Sequence, residues 1–187
     1  HVVPQVLAAL AIAAPRGLRL PLVYNTSGYD AVETLALLDG VVDVYMPDLK
    51  TLDRDFARDA LTAADYPDRA REALTEMHRQ VGDLVVDGDD LATRGMLVRH
   101  LVMPGMLQDT VTVLEWLAAL SPHTFVNVMS QYRPCARAAG PEAGRAAGEG
   151  ERTRGELRPI ARRLRHDELA AALEAARDAG LWRAGTH

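Results

Sequence analysis

Apolar residues along this chain fall into short continuous runs, and the stretches between them carry helical spacing. Residues 2–14 are apolar nearly throughout, with Pro4 suited to a first helical turn; they predict a buried helix closed by Pro15-Arg16-Gly17. Residues 20–25 predict a strand running into Thr26-Ser27-Gly28-Tyr29, residue types that turn a chain and cap helices. A helix over 30–38, ended by Asp39-Gly40, leads to a buried strand over 41–50. Short helical pieces are expected over 53–64. A clearer helix starts at Pro67 and runs to about Val81, with Ala70, Leu74, Met77 and Val81 on one face and Gly82 after it. Asp87-Gly88-Asp89-Asp90 signals a turn within 84–96, a small hairpin or a loop. A strand over 96–103, a helix over 109–120 with Asp109 as its N-cap, and a strand over 124–129 follow. Continuous apolar strands alternating with helices predict a parallel sheet covered by helices, with ligand sites at the carboxyl ends of the strands.

Polar residues collect at those ends. Asp48 and Lys50 close the strand over 41–50, and residues two apart on an extended chain point to one side. Lys50 is the chain's single lysine; the other twenty basic residues are arginines. The pair has three readings. It can hold a zwitterionic, amino-acid-like ligand. The lysine can form a Schiff base. Or the two are a surface ion pair contributing about 0–1 kcal/mol. Arg99, a charge within an apolar strand, must face a polar lumen or pair with an acid. His100 faces the other way and reads as a satisfied, partly buried histidine, as does His78. For Asn25, Thr26 and Ser27, ligand binding and helix capping explain the residue types equally well. Cys135 has no paired base in view and does not read as a nucleophile.

Composition narrows the classes. A chain of 187 residues makes about one domain, and a net charge of −5 gives no footprint for nucleic acid. No apolar run approaches the roughly 18–20 residues that span a bilayer. The first residues lack a positively charged leader, so no signal peptide is expected. The missing initial Met predicts removal of earlier residues or a piece of a longer chain. One cysteine excludes an internal disulfide and a cluster held by three or four cysteines of this chain; a reducing, cytoplasmic setting is expected. Three units are predicted: 1–135 as the β/α body, 136–160 as a flexible Ala/Gly/Arg-rich insertion, and 161–187 as a helix docking on the body, with Leu181-Trp182 packing back. Arg152, Arg154, Arg158, Arg162, Arg163 and Arg165 read as the solvated flank of that insertion.

Several ordered segments carry a resemblance: VPQVLAAL, LPLVYNTSGYD, LLDGVVDVYMPDLK, DYPDRAREALTEMHRQVGDL, LVRHLVMPG and FVNVMSQYRPC, with the closing stretch 166–183. Together they resemble the carboxyl-terminal part of radical S-adenosylmethionine proteins of the pyruvate formate-lyase activating enzyme-like type. The resemblance implies a partial (β/α)6 barrel holding S-adenosylmethionine and a [4Fe-4S] cluster in the intact protein. Such an enzyme generates a 5′-deoxyadenosyl radical that abstracts hydrogen from a substrate, which includes glycyl-radical proteins as partners. It puts Asp48, Leu49 and Lys50 at an Asp-x-Lys strand end that contacts the methionine part of the cofactor. Arg99 falls at a barrel-facing arginine, and Asn25, Thr26 and Ser27 at a third strand end lining the site. Gln131 and Tyr132 sit at the last strand's end, where activating enzymes proper carry a histidine. The family's three-cysteine loop and Gly-Gly-Glu motif are absent, so about four of the family's strands are expected here. This polypeptide by itself is therefore expected to have no radical chemistry and to act as a fragment or beside a missing amino-terminal half. A Lys50 Schiff-base aldolase or lyase and a non-catalytic binding module are the rival expectations.

Overall fold

The computed structural model describes residues 2–135, 138 and 160–186. Helix α1, Val3–Ala13, ends in a single tight turn at Ala14–Arg16. Strand β1, Val23–Thr26, leads through α2, Val32–Ala36, to β2, Val44–Pro47. The short α3, Arg54–Phe56, widens into a π turn over Ala57–Leu61, and α4 runs Tyr66–Val81. Strands β3, Val85–Val86, and β4, Ala92–Leu101, form a hairpin. Then come α5, Leu107–Leu120, β5, Phe125–Met129, α6, His166–Asp178, and β6, Ala184–Gly185.

Five strands lie in the order β1-β2-β4-β5-β6, every neighbouring pair parallel, with β3 antiparallel on the start of β4. The order follows the chain. Crossovers of one hand therefore all land on the same face of the sheet. Burial agrees with that geometry. Tyr45, Val98, His100, Val126 and Val128 are buried. The four apolar ones pack with Leu74 and Met77 of α4, Val113 and Leu117 of α5, and Ala172 of α6. The alternate positions Asn25, Met46, Leu97, Arg99, Asn127 and Met129 stay at least partly exposed. One face is thus the core and the other is accessible.

The α/β class and the parallel sheet are as the pattern predicts, with one parallel strand more than expected. Strand β6 is only two residues long, and its sequence has no apolar run to announce it. The hairpin option for 84–96 is the one realised. Asp87 Oδ1 accepts from the amides of Asp89 and Leu91, both at 3.0 Å, and shapes the turn. Two expectations are corrected. Helix α1 is not buried: Val3 alone is, while Val6 and Ile12 are exposed, because only Val3 and Leu7 meet the core. Asp109 is not an N-cap, since α5 begins two residues earlier. Its carboxylate instead accepts the Leu52 amide at 2.9 Å and ties α5 to the end of β2. Leu181 docks as expected, and Trp182, although 69% exposed, rests on the body by donating its ring N–H to His123 Nδ1 at 3.0 Å. The 136–160 insertion, apart from Ala138 and Ile160, and with it Arg152, Arg154 and Arg158, lies outside the described residues.

Candidate functional site

The accessible face is polar where β1, β2 and β4 end. Lys50 Nζ lies 2.6 Å from Asp48 Oδ2. Arg99 approaches the other oxygen, Asp48 Oδ1, with Nε at 2.8 Å and Nη2 at 2.6 Å. The same Nη2 donates to Asn25 Oδ1 at 2.9 Å. Strand pairing explains the convergence: Asp48 bridges Arg99 directly, and Asn25 lies across from Met46, two residues before Asp48. The charge on Arg99 is thus resolved by pairing with an acid, on the accessible face. Two cations share one carboxylate here, and each Asp48 oxygen already accepts. Among the described residues the group keeps one positive charge in excess and guanidinium and ammonium hydrogens beyond these contacts, the arrangement that binds an anion, above all a carboxylate.

Backbone ties hold the strand end in place. Tyr66, buried at the start of α4, accepts the Lys50 amide at 3.0 Å, and its hydroxyl faces the carbonyls of Ser27 at 3.0 Å and Asp48 at 3.1 Å. Burial raises the Tyr66 phenol far above its ordinary range, so it stays protonated. Gly28 passes so close to this point that a Cβ there would sit 2.3 Å from Asp48 O, and its φ of +75° suits glycine. Behind the strand, His100 is buried between Leu49 O, 2.7 Å from Nδ1, and Thr110 Oγ1, 3.0 Å from Nε2. A carbonyl only accepts, so Nδ1 carries the proton and Nε2 receives the threonine hydroxyl. Burial lowers the His100 pKa and keeps the ring neutral.

The other predicted residues divide. Leu49 and Tyr132 line the same cleft as the charged group. Thr26 turns to the opposite face, where its hydroxyl and that of Tyr24 both donate to Asp30. Burial and the Asp30 carboxylate push the Tyr24 phenol up to about 12. Ser27 is exposed and contributes its carbonyl to Tyr66. Gln131 is exposed and is not part of the cleft lining. His78 pairs with Asp83 at 3.1 Å, away from the site. Of the basic segment, Arg162 is gripped by both oxygens of Glu168 at 2.7 Å, and Arg165 lies 3.1 Å from Asp167. The arginine holds the Glu168 carboxyl down to about 2.

The cleft has a volume of about 320 Å³, at the lower end of the roughly 300–1,000 Å³ common for small-molecule sites. Beyond Asp48, Lys50 and Arg99 it is walled by Phe56 at the end of α3, Leu61 of the π turn, Leu101, Met103, Met129 and Ile160. The π turn escaped the sequence reading, although a wide turn of this kind often marks a site.

Comparison with known proteins adds one relative. The chain is 29% identical, over 174 residues, to an uncharacterized protein of Methanocaldococcus jannaschii. The match covers 92% of this chain and 43% of the relative, so the chain spans less than half of that protein's length. No protein-family model matches the chain, and no solved structure matches it.

Proposed function

We propose that this chain is the S-adenosylmethionine-binding, carboxyl-terminal part of a cytoplasmic radical S-adenosylmethionine protein of the pyruvate formate-lyase activating enzyme-like type, folded as part of a (β/α)6 barrel. The observation that carries the reading is the convergence of Asn25, Asp48, Lys50 and Arg99 at adjacent strand ends. A sheet wound in one direction, with helices on one face and this group on the other, is also what part of such a barrel presents. No described helix is long and apolar enough to cross a membrane.

The residues fit one implied group and not the other. Lys50 and Arg99 would hold the cofactor's carboxylate, with Asp48 fixing both cations in position. Asp48 itself is less free to take the amine than the spacing alone suggested, because its two oxygens are engaged. The cofactor, once bound beside a cluster, supplies a 5′-deoxyadenosyl radical. The cluster does not fit this chain: Cys135 is its one cysteine, and no three His, Cys, Asp or Glu side chains gather to hold a metal among the described residues. No radical step is therefore assigned to these residues. In the intact protein the radical would act on a glycyl-radical partner or another substrate.

Equilibrium dialysis with radiolabelled S-adenosylmethionine tests the reading without iron. The chain should bind it saturably. Lys50→Met should weaken binding by about tenfold or more, the loss of one charge-assisted contact. Absence of binding, or a Lys50→Met variant that binds as well as the parent, sinks the proposal.

A further inference from the structure

The two ends of the cleft differ in chemistry. Asp48, Lys50 and Arg99 stand on one wall, and the rest of its described lining is uncharged. Phe56 and Ile160 form a small apolar cluster apart from the main core, with Met103, Met106 and Tyr132 packed on it. The Tyr132 hydroxyl on this lobe is already committed, donating to Ile160 O at 2.8 Å, and the Cys135 thiol that also lines the cleft is at most a weak donor and acceptor. No buried side-chain nitrogen or oxygen among the described residues lacks a partner. A charged group moved into such a lining loses its water and gains nothing in return. A peptide segment brings a donor and an acceptor at almost every residue and needs partners for both. An aliphatic chain or an aromatic ring needs neither, and thioethers adapt their shape to it.

We infer that this apolar lobe is a second subsite, seating an uncharged aliphatic or aromatic group of a small-molecule substrate beside the charged strand ends. The inference rests on the cofactor reading for calling that molecule a substrate, and it narrows that reading by naming the class. It also sets the site apart from one built for a glycyl-radical protein, whose reacting segment is polypeptide backbone.

Methionine methyl groups give the test its reporters. The chain has six methionines: Met103 and Met129 line the lobe, while Met77 and Met96 are buried in the core. The protein is labelled with 13C-methyl methionine and titrated with 1-hexanol and, separately, with hexylammonium. Hexanol should move the Met103 and Met129 signals saturably and leave Met77 and Met96 in place. Hexylammonium should bind at least about tenfold more weakly, since its charge finds no partner there. Met129→Glu should raise the hexanol dissociation constant by a similar factor. Where that variant fails to fold, Met103→Glu serves, and the ratio of the two probes on the parent protein decides in any case. Shifts that rise linearly without saturating, or equal affinity for both probes, overturn the inference. Dialysis of S-adenosylmethionine on the same sample separates the two readings. Hexanol binding without cofactor binding supports the lobe and removes the cofactor reading. Cofactor binding without hexanol binding overturns the lobe alone.

Discussion

One phenol oxygen fastens the ends of two strands. Tyr66 Oη accepts from Lys50 N and offers its single proton to the carbonyls of Ser27 and Asp48. Replacing Tyr66 by Phe keeps the ring and strips these groups of their partner in a buried place. The expected loss is about 1–3 kcal/mol of stability, read as a lower midpoint in denaturant unfolding. Because the bonds hold the backbone that carries Asp48 and Lys50, the same variant should also weaken S-adenosylmethionine retention in dialysis. An unchanged unfolding midpoint would show that water replaces the hydroxyl and that the strand end holds itself. At this scale the sequence was readable where charge and parity suffice. Asp48 and Lys50 are two apart on an extended chain, and a charge at Arg99 inside an apolar run demanded an acid. Parity also divides Asn25 from Thr26, since neighbouring strand residues point to opposite faces, and the structure sends Thr26 to Asp30. Tyr66 was not readable. Its partners are 16, 18 and 39 residues away in sequence, and nothing in a helix's first turn announces them.

Elements with a one-sided apolar stripe were legible, and those defined by tertiary contacts were not. Helix α4 shows its stripe plainly, and Ala70, Leu74, Met77 and Val81 are all buried. Helix α1 is apolar on every side, which predicts burial, yet only its Val3 edge meets the core. Strand β4 starts four residues before the expected strand because β3 pairs with its first part. Strand β6 is defined by its register against Val126 and Asn127 and by no pattern of its own. His100 is the point where three elements meet, joining β4 to the end of β2 and to α5. Its pKa is lowered by burial, against the smaller opposing influences of the Leu49 carbonyl contact and the Asp109 charge. The unfolded chain therefore takes up this proton at higher pH than the folded one. Stability from the neutral ring is complete above the ordinary histidine value of 6.5 and declines as pH falls below it. Unfolding midpoints measured between about pH 7 and about pH 5 should drop on the acid side. A His100→Gln variant, which cannot titrate, should lose that part of the slope. Equal slopes in the two proteins would place the acid sensitivity elsewhere.

A sheet wound in one direction is finished on one face and open on the other. Helices cover the face that carries Tyr45 and Val98, and the opposite face keeps the charged strand ends and the apolar lobe within reach of solvent. The winding also leaves β1 at the end of the strand order, with β2 as its one described neighbour. Val23 on that strand is 56% exposed and Leu20, just before it, 75%. A strand edge beside exposed apolar side chains is a template for pairing with another strand. The 187-residue chain by itself should therefore associate, and sedimentation velocity should show species heavier than a monomer that grow with concentration. A lysine on an edge strand opposes such pairing, because bringing two copies together would bury its charge. Val23→Lys should move the distribution toward monomer while leaving the far-ultraviolet circular dichroism unchanged, since Val23 takes no part in the core. A parent chain that stays monomeric over the whole concentration range would mean that this edge is protected within a single copy. An associating parent that Val23→Lys fails to disperse would move the contact to the open face. There the apolar residues of the lobe would be the next positions to charge.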